Sequence, residues 1–412
     1  MKWCWRSKVS AVRRKNVSLI EMALALTIET CLPEKWETAT LVGRVWLPKA
    51  GGPAVAVIRQ ERVVDITGIV PTISELMNDA NPLDRILGGS GRDIGGLSEV
   101  LANSAFDARD PSLPHFLAPV DLQAIKACGV TFAESMLERV IEERAKGDPR
   151  AADGIRDEIR ETVGLDLGQI VPGSDEAIQL KAILINKDMW SQYLEVGIGA
   201  DAEVFTKSQP MSAVGTGAEI GLNSKSVWNN PEPEITLIVN ARGEIVAATL
   251  GNDVNLRDIE GRSALLLGKA KDNNGSAAVG PFIRMFDDGY KIDDVRSAEL
   301  TLTVEGPDQF TLKGRSSMAK ISRDIADLVT ETIGPHHQYP DGFCLMTGTL
   351  FAPTEDRDAP GEGFTHKIGD VVKIATPQLG TLVNQVNLSE NIPAWTFGTG
   401  ALMRNLSQRG LI

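Results

Sequence analysis

Apolar and polar residues alternate from Glu37 to Thr67, in the runs ATLVGRVWL, AVAVIRQ and RVVDI. A Gly-Gly-Pro turn separates the first two runs. A period of two marks strands with one buried face, so this stretch predicts three strands. A short helix is predicted over 72–77. Residues 78–120 read as loop, with Gly88-Gly89-Ser90-Gly91 and several prolines. The period then changes. Phe132, Met136, Val140 and Ile141, then Ile155, Ile159 and Val163, recur at helical spacing with Glu and Arg between them. Residues 178–193 predict a further helix. From Val196 the strand pattern returns, with strands expected over 235–240, 244–250, 298–304, 309–313, 343–346 and 371–376. One helix interrupts them over 317–333, with Ile321, Ile325 and Val329 on one stripe.

The pattern predicts an α+β protein. A small β-rich N-terminal domain and linker would occupy 32–120, and a strand-rich catalytic domain 121–412. Residues 1–31 are expected to stand outside the fold. Their basic start and the apolar stretch from Val17 to Thr27 imitate a signal peptide, but Glu21 interrupts the apolar core and no small-x-small site follows cleanly. Met22 then reads as a natural first residue.

Composition narrows the function. Apolar residues make up 42% and charged residues 24%, the mix of a globular chain rather than a disordered or collagen-like one. No run approaches the roughly 20 unbroken apolar residues of a bilayer span. The 39 Gly and 21 Pro favour many turns, hence strands over a helical bundle. A net charge of −13 argues against nucleic acid or an anionic membrane as partner, and an anionic substrate would need a local cation. Cys4, Cys31, Cys128 and Cys344 are too scattered for a CxxC site or a disulfide framework, which suggests a reducing cytoplasm.

The candidate chemistry begins at Pro231-Glu232-Pro233-Glu234. On a strand, residues i and i+2 share a face, so both carboxylates can converge. Alone, a Glu-x-Glu pair is more often a solvated strand edge than a metal site. Here a turn at Arg242-Gly243 would fold 232–253 into a hairpin and bring Asp253 beside the two glutamates. Three carboxylates completed by water suit Mg²⁺ or Mn²⁺, and without a Cys/His cluster zinc is disfavoured. His115, His336, His337 and His366 are isolated or loop-bound and carry no role.

Several ordered motifs resemble the fumarylacetoacetate hydrolase superfamily: DAEVFTK at 201–207, PEPE, GNDVNLRDIEG at 251–261, Ala270-Lys271-Asp272 with Gly275-Ser276, then LMTGT at 345–349 and LGTLVN at 379–384. The likeness runs from about residue 121 to the end, and more loosely back to 37. It implies a mixed β-sandwich roll, a metal site on Glu232, Glu234 and Asp253, and an active-site lysine at Lys271. Hydrolases of the family carry N-Y-x-x-H-x-x-E, whose His and Glu activate water. Here residues 131–138 read TFAESMLE, with Ser135 at the histidine position and Glu138 at the acid. Serine is no general base near pH 7. The short gap from Glu234 to Asp253, the DIEG element and DAEVFTK instead resemble the sugar-acid dehydratase branch.

That resemblance implies a hydro-lyase turning a 2-keto-3-deoxy pentonate, xylonate or arabinonate, into 2-oxoglutarate semialdehyde. The chemistry is consistent: a 2-keto acid chelates a hard cation, C3 loses a proton, and the C4 hydroxyl leaves. Glu203, in a Gly/Ala/Asp loop just after a helix, is the expected base, and Lys271 the cation for the substrate's negative oxygen. Thr381 is expected to bind the substrate carboxylate, with Phe205, Lys207 and Gln209 shaping the pocket. Arg257 and Asp258 would form an ion pair bracing the metal loop. The cofactor is Mg²⁺, with Mn²⁺ as alternative, and the assembly a homodimer or homotetramer. On the same site, the competing reading is a hydrolase of acylpyruvates or related diketo acids. A silent binding protein is a third, disfavoured by the intact acids and Lys271.

Overall fold

A computed structural model describes residues 24–132, 136, 140–141, 143–145, 170–186, 190–351, 353, 355–360 and 363–412. Ser135, Glu138 and the stripe of Ile155, Ile159 and Val163 lie outside the described residues.

Among the described residues, sixteen strands form two sheets. They are β1 Leu41–Leu47, β2 Gly52–Arg59, β3 Arg62–Asp65, β4 Arg92–Gly96, β5 His115–Leu117, β6 Ala124–Gly129, β7 Glu203–Ser208 and β8 Glu219–Leu222. There follow β9 Pro233–Val239, β10 Ile245–Asp253, β11 Ala277–Met285, β12 Glu299–Glu305, β13 Thr311–Ser317, β14 Phe343–Met346, β15 Val371–Thr376 and β16 Gly380–Leu388. The larger sheet has the order β4-β3-β2-β1-β11-β10-β9-β14-β6-β7, with β5 paired to β1. The smaller has the order β13-β12-β15-β16-β8.

The two sheets differ in how their strands face water. Strands β12 and β13 alternate buried with exposed positions, as expected for a sheet packed on one side. Every residue of β9 and β11 is buried. These central strands are covered on both faces, and each fully buried Ile, Leu or Val contributes about 1.5–3 kcal/mol. That apolar support is what lets β9 carry a glutamate in its interior.

The predicted helix at 72–77 forms over Ile73–Asn78, with the Thr72 side chain accepting the Glu75 amide as N-cap. Other expectations shift. The helix expected over 317–333 is shorter, Ile325–Thr332, because Asp324 caps it and Ser317 still belongs to β13. The stretch over 178–193 forms two helices, Asp175–Asn186 and Gln192–Ile198. Residues 78–120, read as loop, also hold helices Pro82–Gly88 and Leu97–Ala102 and the strands β4 and β5.

Two organisational expectations meet the structure directly. The boundary expected near 120 falls inside one sheet, since β1 pairs antiparallel with β11 through Leu41 and Arg284. Residues 24–31, expected outside the fold, are packed into it. Leu24, Leu26 and Cys31 are buried in a cluster with Leu41, Val45 and Phe282. Apolar side chains alternating through this short stretch find the same core as β1. Among the described residues, no helix is long and apolar enough to cross a membrane.

Candidate metal centre and active site

The β9–β10 hairpin builds the centre. Asn240 sets its turn: its Oδ1 accepts the amides of Arg242 at 2.9 Å and Glu244 at 3.1 Å. The register then places Gly251 opposite Glu234 and Asn252 opposite Pro233. The Asp253 amide donates to the Glu232 carbonyl at 3.1 Å, which brings the strand ends together. Glu232, Glu234 and Asp253 each offer an oxygen within 4.8 Å of the other two, and all three are buried. Among the described residues this is the only such cluster of three potential ligands. Hard oxygen donors without His or Cys fit Mg²⁺ or Mn²⁺.

Neighbouring groups fix each carboxylate. Glu232 Oε1 accepts from Asn255 Nδ2 at 3.1 Å, and the Glu232 amide donates to Asn252 Oδ1 at 3.1 Å. Both asparagines belong to the GNDVN element. Glu234 Oε2 accepts the Gly348 amide at 2.6 Å. Gly348 adopts φ +91°, and a Cβ there would lie 2.0 Å from Thr131 Oγ1. Only glycine fits this backbone, and the LMTGT motif thereby aims an N–H at the metal centre.

Two lysines enter the carboxylate cluster. Lys271 ends the helix Leu267–Lys271, and its Nζ lies 2.6 Å from Glu232 Oε2 and 3.2 Å from Asp253 Oδ2. Its backbone carbonyl is held by Ser276 Oγ at 2.7 Å. Lys207 is wholly buried, with Nζ 2.8 Å from Asp253 Oδ1. It also donates to the carbonyls of Val254 at 3.0 Å and Lys271 at 2.5 Å. Lys207 sits at a bulge: Ile125 pairs with Ser208 and Lys126 with Thr206, leaving Lys207 as the extra residue of β7.

The electrostatics are uneven. Burial pushes the Glu234 carboxyl well above its ordinary range, and the charges of Asp253 and Glu232 push it further. Burial acts on Asp253 in the same direction, but Lys207 and Lys271 more than offset it and hold that carboxyl low. Burial lowers Lys207, partly offset by Asp253. Three buried acids thus face two lysines, and Glu234 carries the shortfall of positive charge.

Glu203 opens β7 rather than lying in a loop, on the same face as Phe205. Its side chain folds over Gly129, where a Cβ would meet Glu203 Oε2 at 1.9 Å. It lines a cavity of about 140 Å³ with Glu260, Gln192, Tyr193 and Val196. The Cys128 thiol is raised by burial and then by the charges of Glu234 and Glu203, so both acids lie near it. Lys271 Nζ stands 5.4 Å from the Phe205 ring centroid. Glu203, Phe205, Lys271 and the carboxylates therefore form one neighbourhood.

Lys207, Gln209 and Thr381, expected to contact substrate, have distinct protein surroundings. Lys207 is sealed in the ion cluster, with none of its side chain exposed. Gln209 is exposed beyond β7 and donates to Asp272 Oδ2 at 3.2 Å. Thr381 is the second residue of β16 in the smaller sheet, opposite Ala375. Arg257 and Asp258 brace different loops instead of each other. Asp258 accepts from Ser226 Oγ at 2.7 Å and the Val227 amide at 3.1 Å. Arg257 stacks 4.3 Å from the Trp228 centroid and donates to the Pro353 carbonyl at 3.2 Å. Gly348, Asn252 and Asn255 were given no role from sequence, although all three stand in the quoted motifs.

Comparisons with known proteins agree on a relationship. A family model described as "Fumarylacetoacetate (FAA) hydrolase C-terminal" matches residues 199–387. The chain is 31% identical over 190 residues to a 2-dehydro-3-deoxy-D-arabinonate dehydratase of Saccharolobus solfataricus, covering 46% of this chain and 60% of that protein. It is 30% identical over 226 residues to a probable 2-keto-3-deoxyxylonate dehydratase of Haloferax volcanii, covering 55% of this chain and 74% of that protein. Its fold resembles a solved 2-keto-3-deoxy-D-arabinonate dehydratase complexed with magnesium and 2,5-dioxopentanoate. The TM-score there is 0.58 at 21% identity, over 85% of this chain and 99% of the other. A fumarylacetoacetate hydrolase from Exiguobacterium antarcticum gives a TM-score of 0.51 at 15% identity, over 85% of this chain and 100% of the other.

Proposed function

Because the chain belongs to the fumarylacetoacetate hydrolase family, we propose that it is a divalent-metal-dependent hydro-lyase. It dehydrates a 2-keto-3-deoxy pentonate, xylonate or arabinonate, to 2-oxoglutarate semialdehyde. The observation that carries this reading is the buried trio of Glu232, Glu234 and Asp253, short of positive charge and adjoined by Lys271. The dehydratase names of both curated relatives support the branch.

Glu232, Glu234 and Asp253 would hold Mg²⁺ or Mn²⁺. When bound, the ion supplies Lewis acidity to a chelated 2-keto acid, stabilising negative charge at the ketone oxygen. Lys271 Nζ offers its protons to that same oxygen. Phe205 covers this lysine and keeps water from it. Glu203 removes a proton from C3, and its carboxyl returns a proton to the departing C4 hydroxyl, so water leaves. Tautomerisation of the resulting allylic alcohol yields the aldehyde. Lys207 holds Asp253 and the Lys271 backbone in place, a positioning task in place of the substrate contact expected for it. Thr381 would bind the substrate carboxylate, and Gln209 would border the pocket.

The protein works in a reducing cytoplasm as a homodimer or homotetramer. Cys31, Cys128 and Cys344 are free and buried, and burial pushes the Cys31 thiol up to about 11 and the Cys344 thiol up to about 12. Thiols so held do not ionise near neutrality and stay inert.

The test is a substrate panel with and without Mg²⁺: 2-keto-3-deoxy-D-xylonate, 2-keto-3-deoxy-D-arabinonate and an acylpyruvate. Mg²⁺-dependent aldehyde from a pentonate is expected. Pyruvate release from the acylpyruvate, with no turnover of either pentonate, would overturn the reading in favour of the hydrolase.

A further inference from the structure

A cavity of about 1000 Å³ lies far from the carboxylate trio. Its lining comes from residues between Leu47 and Pro114 and from Arg409 and Leu411, all outside the family match at 199–387. Strand β3, at its wall, stands five strand positions from β9 in the larger sheet. At ~4.8 Å per strand that is roughly 24 Å from the metal centre.

The cavity has an apolar floor and a basic rim. Leu47, Ile66, Ile69, Ile94 and Leu113 supply the floor. Lys49, Arg92 and Arg409 line it together with Asp65 and Asp93. Asp93 is already bound by Arg62 at 2.8 Å, and Asp65 by Arg92 at 2.9 Å. Arg409 has no carboxylate partner among the described residues. Its Nη1 donates to the Pro53 carbonyl at 2.7 Å and to Asn405 Oδ1 at 3.2 Å. These bonds fix the guanidinium plane and leave the Nε–Nη2 edge without an acceptor among the described residues. That edge is the fork that takes a carboxylate, sulfonate or phosphate with two parallel bonds. In a chain of net charge −13, a basic-rimmed cavity runs against the overall field.

We infer that this cavity binds a small anion with an apolar body, its head on the Arg409 fork and its body on the Leu47–Ile66–Ile69 floor. A volume near the upper end of ordinary ligand pockets, mostly apolar with a few placed charges, matches that class of ligand. The Asn405 hydrogen bond to the Ala50 carbonyl, at 2.8 Å, ties the helix Thr399–Gln408 to the cavity wall and so positions Arg409 beside it.

The test uses the full chain and 8-anilinonaphthalene-1-sulfonate, an aryl sulfonate whose fluorescence rises in apolar sites. One saturable site per chain is expected, unaffected by Mg²⁺ with pyruvate, which would occupy the metal centre. Arg409→Gln should weaken the dye about ten- to a hundredfold, the worth of a charge-assisted pair of hydrogen bonds. Ile69→Trp, which fills the floor and leaves the arginine in place, should weaken it as well. Pentonate turnover, or Mn²⁺ affinity where turnover fails for another reason, should match the parent in both variants. Undiminished dye binding in either variant, or displacement by Mg²⁺ with pyruvate, would overturn the proposal.

Discussion

Two buried ion clusters in this molecule resolve their charges in opposite ways. In the loop after β14, Arg357 has none of its side chain exposed and meets Asp370 at 2.7 Å and Asp308 at 2.9 Å. Lys367 reaches Asp308 at 2.9 Å, and His366 Nδ1 lies 3.0 Å from Asp370 Oδ2. Arg357 above all pulls the Asp308 carboxyl far down. Burial opposes ionisation of Asp370, but Arg357 and His366 more than offset it. At the carboxylate trio the same physics leaves Glu234 pushed up. One cluster is complete in itself and holds a loop. The other is complete only with a further cation, which is what a metal centre requires.

The largest effects should come from breaking the incomplete cluster's chemistry. Metal-stripped protein should form no aldehyde, and Mg²⁺ should restore the rate. Glu203→Gln should lower kcat by about 10²–10⁴-fold while metal still binds. Exchange of the C3 proton of 2-oxobutyrate for deuterium reads that step directly. If the variant exchanges as fast as the parent, Glu203 is not the base.

Next comes the complete cluster. Asp370→Asn removes the main partner of a buried guanidinium and should cost about 3–5 kcal/mol in urea unfolding. Mn²⁺ affinity should stay near that of the parent, because the loop's charges close on themselves. A stable variant would show that the loop cluster does not hold the fold.

Smaller, and opposite in sign between the clusters, is the pH dependence. Glu234 is raised above its ordinary 4.5 when folded, so its share of stability is complete below that value. This share is lost as pH rises through the raised folded value. Asp370 is lowered from 3.8, so its share is present above that value and lost as pH falls through the lowered one. Metal-free protein should therefore weaken as pH rises above about 4.5, and Glu234→Gln should remove that slope. A slope unchanged in the variant would assign it elsewhere. The smallest effect belongs to Phe205→Leu. Removing a ring 5.4 Å from Lys271 forfeits a cation–π contact of about 0.5–2 kcal/mol, seen as a rise in KM of several-fold or more.

The contrast between the clusters also marks what the sequence could and could not disclose. The incomplete cluster is written locally. Glu232 and Glu234 are two residues apart, and the Arg242-Gly243 turn returns the chain to Asp253, so period and turn chemistry suffice. Lys271 was legible through its motif. The loop cluster joins Asp308 to Arg357 and Asp370 over some fifty residues, and no local pattern announces it. The same holds for the β1–β11 pairing that carries one sheet across the expected boundary near 120. The burial of Lys207 in the ion cluster was not legible, because the bulge that takes it out of the alternation of Glu203 and Phe205 is invisible to a period of two. Strand β11 was missed because burial on both faces erases alternation. Gly348 acts through its backbone N–H, which side-chain chemistry does not reveal.

The central claim is that Glu232, Glu234 and Asp253 lack a cation that Mg²⁺ or Mn²⁺ supplies. Calorimetric titration of metal-free protein with Mn²⁺ at neutral pH, for the parent, Glu234→Gln and Asp370→Asn, tests it most directly. The account predicts one ion per chain, with protons released as Glu234 ionises. It also predicts marked weakening in Glu234→Gln and parent-like binding in Asp370→Asn wherever that variant is folded. Absence of binding to the parent, or equal binding by Glu234→Gln, would contradict it.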